Sequence, residues 1–342
     1  MTDAPPRAIV RNTRKMRALV VDRLAPDYAG CAVREMATPA PGPGEVRVKV
    51  LAAAVNFPDL LMTRGEYQHK PALPFVSGTE MSGEIDALGE GVAGWRVGDP
   101  VVGGSRAGCF CQYAVVAAAS LKPRPAGLSF AEAASYGAAY LTAYVALVRR
   151  ARVQAGEWVL VHGAAGGVGL ACVDLAKLLG CRVIAASASD EKLKIIARDY
   201  APDATVNVSK GFREAVKAIT GGRGADVIYD PVGGDIFDES VRCIAFDGRL
   251  LVVGFTSGRI PSVSVNMPLI KGFSVVGVRA GEYGRQFPER GAENAAAVWA
   301  LANEGKIKPR VHAEFALDDW RAAFDLLANR EVIGKAIIRP DR

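Results

Sequence analysis

The sequence predicts an α/β protein of two domains, one β-rich and one built on a doubly wound parallel sheet. Three observations carry that prediction. Between Met16 and Val116, short apolar or alternating runs are separated by turn residues at a density that suits a compact β domain. Residues 157–192 run strand, glycine-rich turn, helix and strand within about thirty residues. Beyond them strands and helices keep alternating, the pattern of a parallel sheet with helical crossovers. A chain of 342 residues is long enough for two cores.

MRALVV, from Met16, reads as the opening strand. PAPGPG at 39–44 breaks the chain, and 45–50 alternates polar residues with Val46, Val48 and Val50, a strand with one face buried. Further strands are expected at 81–88, 100–103 and 111–116. At Ser129 the texture changes: Ser129-Phe130-Ala131-Glu132 is a capping-box pattern, and the alanine-rich stretch to Arg150 is helical. Strands are then expected at 158–161, 183–186, 205–208, 226–229, 250–253 and 273–278, with helices at 168–179, 212–219 and 236–245. The closing segment predicts helices at 292–303 and 320–329 and a strand at 335–338. It is too small to fold alone, so a return to the N-terminal β unit is expected. No repeats or low-complexity segments interrupt the chain.

The turn Gly163-Ala164-Ala165-Gly166-Gly167-Val168-Gly169 follows the apolar strand Trp158 to Val161 and opens a helix. Small residues there let the backbone approach a pyrophosphate, whose charge then rests on the N–H groups at the helix start. In the G-x-G-x-x-G frame, Ala164 takes the first place and Gly166 and Gly169 the others. Strand, turn, helix and second strand together point to dinucleotide binding, with Ala165, Gly166, Gly167, Val168 and Gly169 at the phosphates. An NAD-preferring site ends its second strand with a carboxylate for the ribose 2′-OH. Here that place falls on Ser187, followed by Ser189 and Lys192, small hydroxyls and a cation that can receive a 2′-phosphate. NADPH is therefore the expected cofactor. Asp190 and Glu191 temper this reading, unless they open the next helix, where acids suit the dipole.

Half the residues are apolar and 23% charged, an ordinary soluble composition. No apolar run approaches the length of a membrane span. The net charge is +6, but Arg7, Arg11, Arg14 and Lys15 against Asp3 place half of it in the first fifteen residues. No basic stripe with interleaved aromatics argues for nucleic-acid recognition. Residues 1–15 read as a disordered extension; they lack a secretory apolar core and only faintly suggest a transit peptide. The six scattered cysteines read as small buried hydrophobes in a reducing compartment, the cytosol.

With these pieces placed, the chain resembles the zinc-free medium-chain dehydrogenases/reductases of the quinone oxidoreductase group, the zeta-crystallin-like branch. The resemblance runs from about Met16 to Pro340. It rests on NFPDLLMTRGEY at 56–67, LPFVSGTEMSGEIDALGEGV at 73–92, GAAGGVGLA at 163–171, and GADVIYDPVGG with GRLLVVGFTSGRIP at 224–261. It implies a GroES-like catalytic domain (16–134 and 278–342), a Rossmann domain (135–277), a cleft between them holding NADPH, and a homodimer. The strand near 273–278 would lie at a sheet edge, where an apolar edge tends to be paired.

Alcohol-dehydrogenase cousins carry a Cys where this chain has Asn56, and a His-Glu pair where it has Thr79-Glu80. The four-cysteine structural zinc lobe is missing, since Cys109 and Cys111 alone cannot complete a tetrahedral site. No metal is expected, and His162 reads as a core or loop histidine. Hydride delivery to a conjugated carbonyl builds negative charge on its oxygen, which a neutral donor would stabilise. Asn56 can donate through its amide and Tyr67 through its phenol, matching the tyrosine that related enoyl reductases use as an acid. Tyr67 also reads as a loop aromatic after Gly65. At the place of a second family tyrosine stands Leu61. Thr142 resembles the threonine bordering the nicotinamide amide, or is a helix hydroxyl bonded to its own backbone. Gly254, Phe255 and Thr256 follow a Rossmann strand and would orient the nicotinamide. The usual 2′-phosphate tyrosine falls at Val208, so one NADPH contact is lost.

The expected function is an NADPH-dependent, zinc-independent oxidoreductase delivering hydride to a quinone. Reduction of the C=C bond of an enoyl thioester or other conjugated carbonyl is the alternative. A nucleotide-binding structural or RNA-binding protein without turnover is a weaker one. An enoyl-CoA enzyme would offer a basic entrance, for which Arg64, Lys70 and Arg285 are candidates; Lys271 and Arg279 read as solvated charges.

Overall fold

The computed structural model describes residues 14–342. The extension expected over 1–15 lies outside these residues except at Arg14 and Lys15, and Lys15 already belongs to the first strand. The chain divides into two compact units. The first holds the chain up to Arg124 with Glu314–Ala328 and Ile337–Arg342, and the second holds Pro125–Ala313 with Asn329–Ala336.

In the first unit β1 (Lys15–Val21) pairs antiparallel along its length with β2 (Cys31–Ala37). β3 (Glu45–Ala54) alternates as its sequence dictates, with Val46, Val48 and Val50 fully buried between more exposed neighbours. Its register shifts between Val50 and Ala52, after which Ala52, Ala53 and Ala54 are all buried. Helix α1 (Phe57–Arg64), not anticipated, follows directly. Asn56 caps it, Pro58 sits in its first turn, and Gly65 ends it at φ 75°. Then come β4 (Phe75–Val76), β5 (Glu80–Leu88), β6 (Pro100–Gly104), β7 (Tyr113–Ala117) and β8 (Lys122–Pro123). Strand β4 joins β1, while β5 and β7 both pair with β3.

The second unit opens with α2 (Phe130–Tyr144), capped as expected: Ser129 accepts from the Glu132 N–H, and the Glu132 carboxylate accepts from that of Ser129. Then follow β9 (Trp158–Val161), α3 (Gly167–Leu178), β10 (Arg182–Ser187), α4 (Asp190–Tyr200), β11 (Ala204–Asn207), α5 (Arg213–Ile219) and β12 (Ala225–Asp230). After these come α6 (Gly234–Ser240), β13 (Ile244–Val252), α7 (Asn266–Lys271), β14 (Ser274–Gly277), α8 (Ala280–Gln286) and α9 (Pro288–Asn303). All the strands are parallel, in the order β11-β10-β9-β12-β13-β14. The order reverses between β9 and β12, the switch point where such sheets bind ligands. Leu160, Ile184, Ile228, Leu250, Phe237 and Phe273 are buried in one core against it. The helix expected over 236–245 ends at Ser240, because Ile244 pairs with Ala225 and is drawn into β13. Helices α8 and α9 pack on α2, and residues 125–134 and 278–313 group with the parallel sheet.

The C-terminal segment holds β15 (Val311–Ala316), α10 (Trp320–Ala328) and β16 (Lys335–Arg339), of which Glu314–Ala328 and Ile337–Arg342 belong to the first unit. Phe324 of α10 meets Tyr28 and Phe110 edge-on, with centroids 5.4 and 6.1 Å apart. In β16, Ile337 and Ile338 pair with Ala54 and Ala53, giving the sheet order β15-β16-β3-β5-β6-β8 with β7 also on β3. The ring contacts of Phe324 and the pairing of Ile337 and Ile338 explain why these parts join the first unit.

Candidate functional site

The glycine-rich turn joins β9 to α3 at the switch point. Gly163 takes φ +56°, and the Ala164 N–H donates to Ala186 O at 3.0 Å, tying the turn to β10. A Cβ on Gly169 would lie 2.1 Å from Gly163 O, so only glycine lets α3 start this close to the strand. A Cβ on Gly166 would meet nothing nearer than Gly163 O at 3.4 Å. Space therefore remains over Gly166, where the first N–H groups of α3 lack helical partners. A tight first turn, an open backbone approach and a helix start fit the pyrophosphate of a dinucleotide.

At the end of β10, Ser187 Oγ accepts from the Ser189 N–H at 3.3 Å. Ser189 caps α4 by accepting from the Lys192 N–H at 3.3 Å, so Asp190 and Glu191 do open that helix. Lys192 is already engaged: its ammonium donates to the main-chain carbonyls of Arg330 and, at 3.2 Å, Val332. Val208, where the family tyrosine falls, donates its N–H to Ser187 O at 3.0 Å.

Beyond β13, Gly254, Phe255 and Thr256 lie on a loop held along residues 230–233. The Thr256 N–H donates to Pro231 O at 3.1 Å and the Ser257 N–H to Val232 O at 2.9 Å. The buried Asp230 carboxylate accepts from the N–H groups of Val232 and Gly233 at 2.8 and 2.9 Å, and burial pushes its pKa up. Thr142 donates its hydroxyl to Ala138 O at 2.8 Å, the self-satisfied helical arrangement; its oxygen retains acceptor capacity.

In the first unit Asn56 sits between β3 and α1. Its N–H donates to Asp59 Oδ2 at 2.8 Å, and its side-chain amide donates to the buried Glu80 carboxylate at 3.1 Å and lies 3.5 Å from Thr79 Oγ1. Tyr67, on the loop after α1, packs its ring against the cluster of Val21, Met62 and Phe75. Arg64 donates to Tyr28 Oη at 2.5 Å, and Arg285 to Glu282 at 2.8 Å.

His162 closes β9 as a core residue. It is 1% exposed, its Nε2 lies 2.9 Å from Ser240 Oγ, and its ring meets Phe212 edge-on. Because Ser240 Oγ donates to Ile236 O, the imidazole donates from Nε2, leaving a bare Nδ1 without a partner. Burial lowers its pKa to about 3. Lys271 donates to Val241 O at 2.8 Å, and Arg279 stands 3.9 Å from Glu282.

Comparison with known proteins agrees with this architecture. Residues 42–145 match the alcohol dehydrogenase GroES-like domain, and residues 167–297 match a family described as zinc-binding dehydrogenase. The quinone oxidoreductase-like protein 2 homolog of Nematostella vectensis is 39% identical over 301 residues, covering 87% of this chain and 82% of its own. The chain belongs to the quinone oxidoreductase family of medium-chain dehydrogenases/reductases. Among solved structures, a mycobacterial protein complexed with NADPH is 30% identical, with a TM-score of 0.87 over 95% of this chain and all of that one. The CurK enoyl reductase is 25% identical, with a TM-score of 0.85 over 95% of this chain and 99% of its own.

For a quinone oxidoreductase relative matched by a zinc-binding model, the metal positions need a direct test. Asn56, Thr79 and Glu80 stand together as an amide, a hydroxyl and a carboxylate, with the amide donating to the carboxylate. Zinc takes thiolate, imidazole or carboxylate ligands; this set offers one such group, already accepting from the amide, so it does not fit the metal. Among the described residues no group of three or more His, Cys, Asp or Glu side chains could hold a metal ion. Sequence reasoning missed the segment 330–335, which runs beside the glycine-rich turn: the Gly334 N–H donates to Ala165 O at 2.8 Å. The isolated Gly334, at φ +88°, was its sole local signal.

Proposed function

We propose that this chain is an NADPH-dependent, zinc-independent oxidoreductase that delivers hydride to a quinone. The turn carries the reading: Gly166 keeps its backbone open and Gly169 brings α3 against β9, the arrangement that holds a pyrophosphate. Bound NADPH supplies the hydride. Ala165 through Gly169 hold the phosphates, Ser187 and Ser189 line the 2′ end, and Gly254, Phe255 and Thr256 orient the nicotinamide, with Thr142 accepting from its amide. No carboxylate ends β10 to repel a 2′-phosphate. The NADPH-bound relative supports the same cofactor.

Asn56 is proposed as the oxyanion donor. Its amide is preoriented by Glu80, and a neutral donor stabilises charge developing on a carbonyl oxygen. Tyr67 is proposed to donate a proton once the oxygen carries charge. The enoyl-reductase relative favours a second reading, reduction of a conjugated C=C bond by the same hydride and the same donors. Two of the three cations suggested for a coenzyme A entrance are engaged locally, Arg64 by Tyr28 and Arg285 by Glu282, which favours the quinone.

The working form is proposed to be a homodimer. Strand β14 lies at the sheet edge, and Phe246, Val265 and Leu269 nearby are 81%, 86% and 81% exposed. Burial of five of the six cysteines, all free, supports a reducing compartment, the cytosol. No helix among the described residues is long and apolar enough to cross a membrane.

NADPH consumption with 1,4-benzoquinone and with crotonyl-CoA, for wild type beside Tyr67→Phe, tests the reading. Turnover of the quinone and not of crotonyl-CoA is expected. Crotonyl-CoA turnover that falls about a hundredfold or more in Tyr67→Phe would make the enzyme an enoyl reductase.

A further inference from the structure

We propose that Tyr28 is a positioning residue whose phenol, through Arg64, fixes the end of α1 and the loop that carries Tyr67. The proposal rests on the reading of Tyr67 as proton donor and adds a residue that acts at one remove from it.

Tyr28 stands in the turn between β1 and β2 at φ +62°, a left-handed conformation that glycine or asparagine takes readily and a bulky aromatic rarely. Such strain persists only where the surroundings over-determine the residue. Its backbone is tied on both sides, the N–H donating to Ala25 O at 3.3 Å and the carbonyl accepting from the Cys31 N–H at 2.9 Å. Its ring, 4% exposed, meets Trp320 and Phe324 of α10 edge-on, with centroids 6.4 and 5.4 Å away. Two cations approach the same ring, Arg64 at 4.9 Å and Arg321 at 5.9 Å. A glycine would sit in this turn without strain, so what the tyrosine supplies is its side chain.

The polar end of that side chain faces α1. The guanidinium of Arg64, the last residue of the helix, donates to Tyr28 Oη at 2.5 Å. Its Nε is buried without a hydrogen-bond partner, so the phenol is the anchor that orients the charge. Two further contacts bring the same turn onto the same helix end. The Ala25 N–H donates to Thr63 O at 3.1 Å, and a Cβ on Gly65 would lie 2.8 Å from Leu24 Cδ1.

Gly65 ends α1 at φ +75°, and Tyr67 follows two residues later with its ring against Val21, Met62 and Phe75. Between them stands Glu66, whose N–H donates back to Leu61 O at 2.9 Å. Whatever fixes Arg64 therefore fixes the direction in which the chain leaves the helix toward Tyr67. A phenol that gives a proton must lie within hydrogen-bond range of the developing charge, where a displacement of about 1 Å costs up to a hundredfold in rate.

The experiment uses wild type, Tyr28→Phe, Arg64→Met, Tyr67→Phe and the double variant Tyr28→Phe/Tyr67→Phe. Tyr28→Phe keeps the ring contacts and removes only the oxygen that Arg64 meets. One readout is steady-state NADPH consumption with 1,4-benzoquinone. The other is amide hydrogen exchange of a peptide covering 60–70 in the nucleotide-free protein. Tyr28→Phe and Arg64→Met are each expected to lower kcat about tenfold, with KM for NADPH within about twofold of wild type. Exchange in 60–70 is expected to rise about tenfold in both, with peptides of the parallel-sheet unit unchanged. In the Tyr67→Phe background, Tyr28→Phe is expected to have no further effect on kcat, because the group it positions is gone. Equal losses in both backgrounds would overturn the proposal, since Tyr28 would then act elsewhere. A lowered melting temperature with kcat and exchange at wild-type values would overturn it too and leave Tyr28 a packing residue. Tyr67→Phe turning over as fast as wild type would refute the proton-donor reading itself, while exchange in 60–70 would still decide whether Tyr28 holds the loop.

Discussion

His162 shows how one residue's chemistry follows from where the chain buries it. Its imidazole sits among apolar neighbours with a single hydroxyl partner, so charging it has no compensation, and its pKa falls from 6.5 to about 3. Because the folded value lies below the unfolded one, the unfolded chain takes up the proton first as pH drops. The contribution is complete above the unfolded value and is lost progressively as pH falls toward the folded one. Between pH 7 and 5 wild type is expected to lose about 2 kcal/mol more stability than His162→Leu, measured by urea unfolding. Equal losses would mean that water or a rearranged partner reaches Nδ1. Residue identities foretold His162 as a core histidine, but not its half-satisfied state, which depends on a serine 78 residues away. Thr142 was readable to the extent that its alternatives could be named; the helix geometry then spent its proton on Ala138. Asn56 was legible as a hydrogen-bond donor, yet its bond to Glu80 was not, since that contact crosses from the cap of α1 to β5.

At the scale of elements, the turn between β9 and α3 separates two kinds of glycine. Gly169 is required by packing and Gly166 leaves room for a ligand. Gly169→Ala is therefore expected to destabilise the nucleotide-free protein by roughly 3 kcal/mol, because its Cβ meets a backbone oxygen that cannot swing aside. Gly166→Ala is expected to leave the nucleotide-free melting temperature nearly unchanged while weakening NADPH binding about tenfold or more. Thermal unfolding with and without nucleotide distinguishes them, and a reversed pattern would refute these roles. This element was legible because its spacing is a local property of the backbone. The bond from Lys192 to the main chain of Arg330 was not, because the two residues lie 138 positions apart. The boundary of α6 went astray for the same reason, since β12 recruits Ile244, which helical periodicity alone would have kept.

On the scale of the whole molecule, the parallel sheet ends at β14, and α7, which packs on the neighbouring β13, exposes Leu269 and Ile270. If two copies meet there, Leu269→Asp combined with Ile270→Asp is expected to convert a dimer to a monomer in sedimentation velocity, with the fold retained by circular dichroism. A dimer that persists would place the interface elsewhere. The sequence by itself determined the two-unit plan of this protein: which runs form the parallel sheet, where the glycine-rich turn lies, and that the chain closes on a strand. Those properties follow from periodicity and from glycine spacing, which are written along the chain. Tertiary structure alone decided that α8 and α9 side with the parallel sheet, that Glu80 orients Asn56, and that Lys192 grips main-chain carbonyls. Each of these depends on a partner far away in sequence, whose identity is set only when burial and hydrogen bonding are satisfied together.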